Sequence, residues 1–428
     1  MRTLDQLEAK TTPTVERVGG AHDAPDRVCC CIAGCGPAGA VLALLLARAG
    51  VDVVVLEKHG DFLRDFRGDT VHPSTLRVMD ELGLLDEFLK LPHQKLSRFA
   101  AQFGDRPVDI ADFSGLPARI GYIAMMPQWN FLDFLAAHGK RYPGFKLLMN
   151  AEAHALVEEE GRVVGVRATV EGNEQEIRGD LVVGADGRHS TVRTDAGLQV
   201  EDIGAPMDVL WFRLPHRKGD PAEFMGRFDI GSILLLLDRG DYWQCAYVIP
   251  KGSAETVRAE GIEKVRETVS RLMPAFADRV GELKGMDDLK LLTVGVDRLR
   301  TWWKPGLLCI GDAAHTMSPI GGVGINVAIQ DAVAASNILA APLREHRLKD
   351  SDLAAVQERR LFPARMTQAM QMFLQKRVIA PSLYGRGGAL KVPLFLRLLS
   401  WFPFLRRLPA RLMGLGIRPE HVRTSLSS

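Results

Sequence analysis

This 428-residue chain lacks most of what would tie it to a metal, a disulfide framework or a membrane span. It has six cysteines, and four of them, Cys29, Cys30, Cys31 and Cys35, crowd one apolar stretch that runs into a glycine turn. They read as small buried residues in a reducing compartment, and neither a metal site nor a disulfide is expected. No internal repeat or low-complexity tract is present. The first 26 residues are polar, without an apolar core and cleavage site, so no secretory signal is expected and the chain is read as cytoplasmic. Hydrophobic residues make up 46% and charged residues 25%, which excludes a disordered or polytopic membrane class. The formal net charge is only +2, but thirteen Lys or Arg against one acid, Glu420, follow from Arg359 onward, leaving the first 358 residues at −10. A basic tail therefore sits on an acidic body.

The length suffices for two packed domains or one domain with a large insertion. After a polar leader (1–26), residues 28–33 read as a buried parallel strand, 37–49 as an apolar helix and 51–56 as a second buried strand, one βαβ unit of about thirty residues. A helix is expected over 74–89 behind Pro73, with Asp80, Glu81, Asp86 and Glu87 outward, and another over 129–140. Strands over 153–158 and 163–170 form an antiparallel excursion, and 181–184 is a short apolar strand. From 202 to 294 the pattern changes to strands at 209–214, 232–237 and 242–249 with a helix near 262–273. A buried strand at 307–310 and an apolar helix at 324–340 follow, and the remainder reads as helical. The expected fold is α/β: a discontinuous Rossmann-like domain (27–201 and 295–340), an interleaved antiparallel β-sheet domain (202–294) that the stretch near 96–125 joins, and a basic helical region (341–428).

Three motifs carry chemistry. Gly34-Cys35-Gly36-Pro37-Ala38-Gly39 follows a strand and opens a helix, with Glu57 at the tip of the next strand eighteen residues after Gly39. Gly34 allows a tight turn, Gly36 close approach of a pyrophosphate to the backbone, and Gly39 close helix–sheet packing. The helix N-terminus, at Pro37 and Ala38, would hold the diphosphate, and Glu57, with Lys58 beside it, the adenosine ribose. Gly184-Ala185-Asp186-Gly187-Arg188 is a second strand-to-turn junction, which alone could be an ordinary turn. The third is Cys309-Ile310-Gly311-Asp312, continuing through His315 and Pro319 to the run Gly321, Gly322, Val323, Gly324, Ile325, Asn326. It delivers a carboxylate and then a helix start that would present N–H groups to an anionic ring.

In this order and spacing the motifs resemble the class A FAD-dependent monooxygenases, the aromatic hydroxylase family typified by para-hydroxybenzoate hydroxylase, over roughly residues 27 to 340. That resemblance implies FAD as cofactor, NAD(P)H as reductant without a second Rossmann site, O2 as co-substrate and hydroxylation through a flavin C4a-hydroperoxide. It places Arg67 and Gln128 on the cofactor, Asp186 on the motif that handles both FAD and the nicotinamide, Asp312 on the ribityl chain and Pro319 beside the isoalloxazine ring. Pro319 and His72 are the candidates nearest the chemistry. Trp211, Arg213, Gln244 and Tyr247 are candidate substrate contacts on the expected sheet. An aromatic, quinoid or otherwise lipophilic small molecule is expected as partner, and no nucleic acid.

Two alternatives remain: an FAD-dependent reductase of a prenyl-type lipid, and a non-catalytic FAD-binding protein of the membrane surface. A halogenase is disfavoured because Cys245-Ala246-Tyr247-Val248-Ile249-Pro250 lacks the tryptophans of that motif. Residues 388–413 mix Leu, Phe and Trp with Lys and Arg, and Pro393, Pro403 and Pro409 exclude a spanning helix. A cap on the catalytic body is the preferred reading, and peripheral contact with an anionic membrane the other.

Overall fold

The structure, a computed structural model, describes residues 27–63, 70–220, 225–385 and 390–427. The leader and Arg67 lie outside the described residues. The first strand, Arg27–Ala33, pairs in parallel with Val53–Leu56 on one side and with the end of Asn173–Gly184 on the other. Leu307–Cys309 and Phe145–Leu148 extend this parallel core outward. Its strands are near-continuous apolar runs, as both faces are covered: the helix Pro37–Arg48 buries every residue from Ala38 to Ala47, Leu42, Leu44, Leu45 and Leu46 almost completely. Each such leucine contributes about 1.5–3 kcal/mol through removal from water.

Three elements differ from the sequence reading. The helix expected over 74–89 is two helices, Pro73–Glu81 and Leu85–Phe88. Gly83 takes φ +72 and donates to the Asp80 carbonyl while Leu84 bonds back to Met79, a left-handed stop that the apolar periodicity concealed. The short strand at 181–184 is the end of a twelve-residue strand, Asn173–Gly184, whose polar first half pairs antiparallel with Arg162–Val170. The tail beyond Leu415 is not helical; it forms a strap in which Val422 bonds Glu81, Arg423 bonds Asn337, and the Thr424 carbonyl accepts from Arg48.

The second sheet has seven strands in the order Lys290–Leu292, Met207–Pro215, Tyr242–Pro250, Ser232–Asp238, Met225–Asp229, Arg98–Phe103, Arg106–Asp112. It is antiparallel except where Met225–Asp229 meets Arg98–Phe103 in parallel. That hairpin comes from a distant stretch of chain, so no tight turn dictates its direction. One face packs on the helix Ile262–Leu272 through Phe212 and Trp243, with Phe276 of the turn after that helix in the same cluster. The other face, with Val209, Ile233 and Val248, meets Val378, Ile379 and Leu396 of the C-terminal region. All six cysteines are buried and unpaired. The helix Gly324–Arg344, apolar enough in composition to span a bilayer, belongs to a segment whose most apolar window is 78% buried within the protein.

Candidate functional site

The parallel core brings the three turns to one edge. Arg27–Ala33, Asn173–Gly184 and Leu307–Cys309 are neighbours, and each runs into its motif at its C-terminal end. Gly34 takes φ +98, and a side chain there would lie 2.5 Å from the Ala185 carbonyl oxygen, so the first and second turns touch backbone to backbone. A side chain at Gly311 would lie 3.1 Å from Ala38, which sets the third turn against the start of the first helix. A side chain at Gly39 would come within 2.0 Å of the Gly34 carbonyl oxygen. Gly36 is different: nothing lies within 4 Å of its side-chain position.

Around that open space the groups suit an anionic dinucleotide. The helix begins at Pro37 with no side-chain cap and no acid in its first turn, so its free N–H groups and positive dipole end face outward. Glu57 caps the turn next to it, accepting from the Cys35 and His59 amides at 3.2 Å each. Lys58 follows, exposed. Asp186 accepts from the Val192 amide at 3.2 Å while its other oxygen, Oδ1, is buried with no partner. Burial raises the Asp186 carboxyl above its ordinary range. Asp312 is about one-third exposed, with the Arg188 guanidinium 3.9 Å away. Arg193 reaches the Ala313 carbonyl at 3.5 Å and also bonds the Arg188 carbonyl, joining the second motif to the third. Gln128 opens the helix Gln128–Gly139, half-buried.

The glycine run forms the other wall. Pro319 is exposed and precedes a short turn in which Gly321 and Gly322 take φ +79 and +62, before the 21-residue helix starts at Gly324. Gly322 must be glycine because Thr70 Oγ1 would lie 2.7 Å from a side chain there. The run is stitched to the strand Thr70–Val71 and the helix that follows it: Thr70 Oγ1 donates to the Gly322 carbonyl, and the Asn326 amide oxygen accepts from the His72 amide and the Thr75 hydroxyl. His72 is fully buried; Nδ1 donates to the Met413 carbonyl at 2.8 Å and Nε2 has no partner. Burial pulls its pKa down to about 4, so the ring is neutral at pH 7. Met413 was not singled out from sequence. Its methyl lies 3.6 Å from the Gly321 side-chain position, and Gly414 packs so tightly that a side chain would meet Pro73 at 2.9 Å. The only sequence signal for either was a glycine within an apolar helix.

Behind the third turn lies a charged cluster whose centre is buried. Asp331, fully buried, accepts from the Gly311 amide at 3.2 Å, from His315 Nε2 at 2.6 Å and from Arg360 Nε at 2.9 Å. Burial alone would raise its carboxyl, yet His315 and Arg360 outweigh it and hold the group low. Arg360 and Arg359 both reach Glu420 of the strap, at 3.4 and 2.7 Å. His315 is thus committed to Asp331 and to Trp302, whose ring lies 4.9 Å away.

The four substrate-side residues do not form one group. Strand alternation puts Trp211, Arg213 and Gln244 on the face opposite the helix Ile262–Leu272, where Trp211 packs in the cluster that includes Ile320, the residue after Pro319. Arg213 is exposed and stacks on Tyr242 at 4.8 Å, while buried Gln244 accepts from Arg239 at 3.1 Å. Tyr247 turns the other way, into the cluster beneath Ile262–Leu272. On the parallel core, at the edge opposite the three turns, Cys29, Asp180 and His346 approach within 4.8 Å, with Asp180 already paired to Arg27.

An open α/β sheet takes its ligand at the C-terminal edge of its strands, and turns of this kind on three adjacent strands accommodate a dinucleotide lying across them. Residues 27–370 match the FAD binding domain family, and the chain belongs to it. The 6-methylpretetramide 4-monooxygenase of Streptomyces rimosus is 34% identical over 401 residues, 92% of this chain and 94% of that protein. The crystal structure of Pseudomonas aeruginosa PqsL in complex with 2-aminobenzoylacetate superposes with a TM-score of 0.73 at 25% identity, covering 82% of this chain and 96% of PqsL. The flavin-dependent brominase Bmp2 is alike in fold alone, with a TM-score of 0.74 at 16% identity over 91% of this chain and 93% of Bmp2. Kinship along almost the whole length makes this chain an FAD-dependent monooxygenase, and displaces the lipid-reductase and silent-binder alternatives.

Proposed function

We propose that this monooxygenase uses NAD(P)H and O2 to hydroxylate a polycyclic aromatic or quinoid substrate of polyketide type. The convergence of three glycine turns and a glycine-run helix beside an apolar sheet face is the observation that carries the reading, and the name of the Streptomyces relative points to the substrate class. Bound FAD supplies the redox chemistry, accepting hydride from NAD(P)H and activating O2. The chain's own residues bind and orient. Amides at Gly36, Ala38 and Gly39, at the helix start that Pro37 opens, would meet the diphosphate, while the Gly34 amide donates to the Leu56 carbonyl and fixes the turn; Glu57 would bond the adenosine ribose with Lys58 at its edge; Gln128 would flank the cofactor, as would Arg67 by the family resemblance; Asp312, on the turn set by Gly311, would bond the ribityl chain. Asp186 holds the second turn, and its unpartnered Oδ1 is free to accept a cofactor or nicotinamide hydroxyl.

The amides of Gly321, Val323, Gly324, Ile325 and Asn326, with Pro319 beside them, would present a positive dipole end to negative charge on the flavin ring, while the Gly322 amide closes the turn on the Pro319 carbonyl. His72 is a positioning residue, neutral and locked between Asn326 and Met413. Apolar walls from Trp211, Ile320 and the C-terminal helices exclude water from the reacting oxygen.

The test is reduction of the purified protein by NADH or NADPH without oxygen, then turnover under 18O2, with fused-ring phenols against single-ring phenols. Faster bleaching of the flavin bands with the fused-ring compounds, and one 18O in the product, is the expected result. A flavin that neither nicotinamide reduces, or a product without label, overturns the proposal.

A further inference from the structure

We propose that the C-terminal helices form a docking surface for an anionic lipid bilayer. The region is a cap on one side and an open face on the other. Leu396, Ala410, Gly414 and Leu415 are buried against the body, and Arg406 pairs with Asp109 at 2.7 Å. The same elements turn large apolar side chains outward: Leu394 is 62% exposed, Trp401 57%, Phe402 46%, Phe404 67% and Leu408 61%. Most large apolar side chains of the described residues are buried, so this concentration within fifteen residues is not the ordinary scatter of surface hydrophobics.

The patch is continuous with the long helix Asp350–Leu374, because the Phe373 ring, half-exposed, meets Phe395 at 5.5 Å. Cations rim it. The Arg397 guanidinium lies 4.9 Å over Trp401, that of Arg418 4.4 Å over Phe362, and Lys391, Arg407 and Arg411 are exposed. No acid occurs between Arg359 and Pro419, while the rest of the chain is acidic. Trp and Phe at the level of arginines, with no acid in the segment itself and the acids beneath it, Asp109 and Asp112, facing Arg406 and Arg407, suit the interface of a bilayer carrying anionic headgroups. The apolar tips are spread over a helix, a 3-10 turn and a second helix broken by Pro393, Pro403 and Pro409. A bilayer has no shape to match and accepts such a spread, where a protein partner would need a matching hollow for each tip.

The inner side of the same helix, Arg407–Leu415, reaches the candidate site through Met413, against Gly321 and His72. A substrate dissolved in the membrane would therefore meet, on one short helix, both the docking surface and the wall of the reaction chamber. The inference does not depend on the substrate's identity.

Sedimentation of the FAD-loaded enzyme with vesicles tests it, using equal parts phosphatidylglycerol and phosphatidylcholine against phosphatidylcholine alone. Binding to the anionic vesicles only, weakened at ~0.5 M salt and at least about tenfold by W401S/F402S/F404S, is the expected result. Retained flavin absorbance in that variant shows that the fold is intact, and R397E/R411E supplies a second variant acting through charge alone. Absence of binding to anionic vesicles at low salt, or equal binding by both variants, overturns the proposal. So does a self-association or protein partner that the aromatic variant abolishes while vesicles are ignored.

Discussion

Single residues in this protein separate what holds the fold from what faces the cofactor, and glycine shows it most directly. Gly39→Ala would drive a methyl into the Gly34 carbonyl at 2.0 Å, whereas Gly36→Ala meets no protein atom within 4 Å. The expected outcome is a lowered thermal midpoint for the first even without cofactor, and an unchanged apoprotein midpoint with FAD affinity weakened at least about tenfold for the second, about 1.4 kcal/mol. Differential scanning fluorimetry and flavin titration of the apoprotein read the two effects. His72 makes a pH prediction. Its folded pKa, near 4, lies below the ordinary 6.5, so the unfolded chain takes up a proton that the folded chain refuses. Stability is therefore present above pH 6.5 and is lost as pH falls toward about 4, by on the order of 3 kcal/mol. His72→Gln should flatten the fall of thermal midpoint across that window; identical slopes for the two proteins would refute the argument.

Secondary-structure elements were largely legible because apolar period and glycine position both act locally. The βαβ unit, the second sheet's main strands and the helix after the glycine run follow from buried runs bounded by turns. The break at Gly83 was missed because leucines on both sides continue the helical period, and only the sign of φ betrays the stop. The strap was missed for a different reason: its bonds to Glu81, Asn337 and Arg48 are between residues far apart in the chain and leave no pattern in sequence. Its end at Glu420 completes the buried cluster on Asp331, which in turn holds the Gly311 amide. Asp331→Asn should cost about 3 kcal/mol in urea unfolding, since it leaves the buried Arg360 guanidinium with Glu420 alone, at 3.4 Å, and should also weaken FAD binding by loosening the turn that bears Asp312. Lys304→Ala, which removes an exposed pair with Glu158, should cost less than about 1 kcal/mol and leave FAD affinity unchanged.

The whole molecule joins a cofactor edge, an apolar sheet face and a basic helical tail that the sequence presents as separate things. If the C-terminal helix walls the reaction chamber, Met413→Ala should enlarge it. The expected result is a raised KM for a fused-ring substrate, with FAD affinity nearly unchanged, read by steady-state turnover and flavin titration; loss of flavin instead would place Met413 in the cofactor's support. The sequence by itself determined the cofactor-binding class, since strand, glycine turn and helix start must be contiguous for a backbone to cradle a diphosphate, and such motifs are written in adjacent residues. It also determined the charge asymmetry between body and tail. Which residues share a face was decided only by the tertiary structure: Tyr247 and Trp211 lie on neighbouring strands yet face opposite sides, because side chains alternate and register is set by long-range pairing. The same is true of Met413 and Glu420, which reach the site from about ninety residues beyond its last motif, through packing and buried charge that no local pattern encodes.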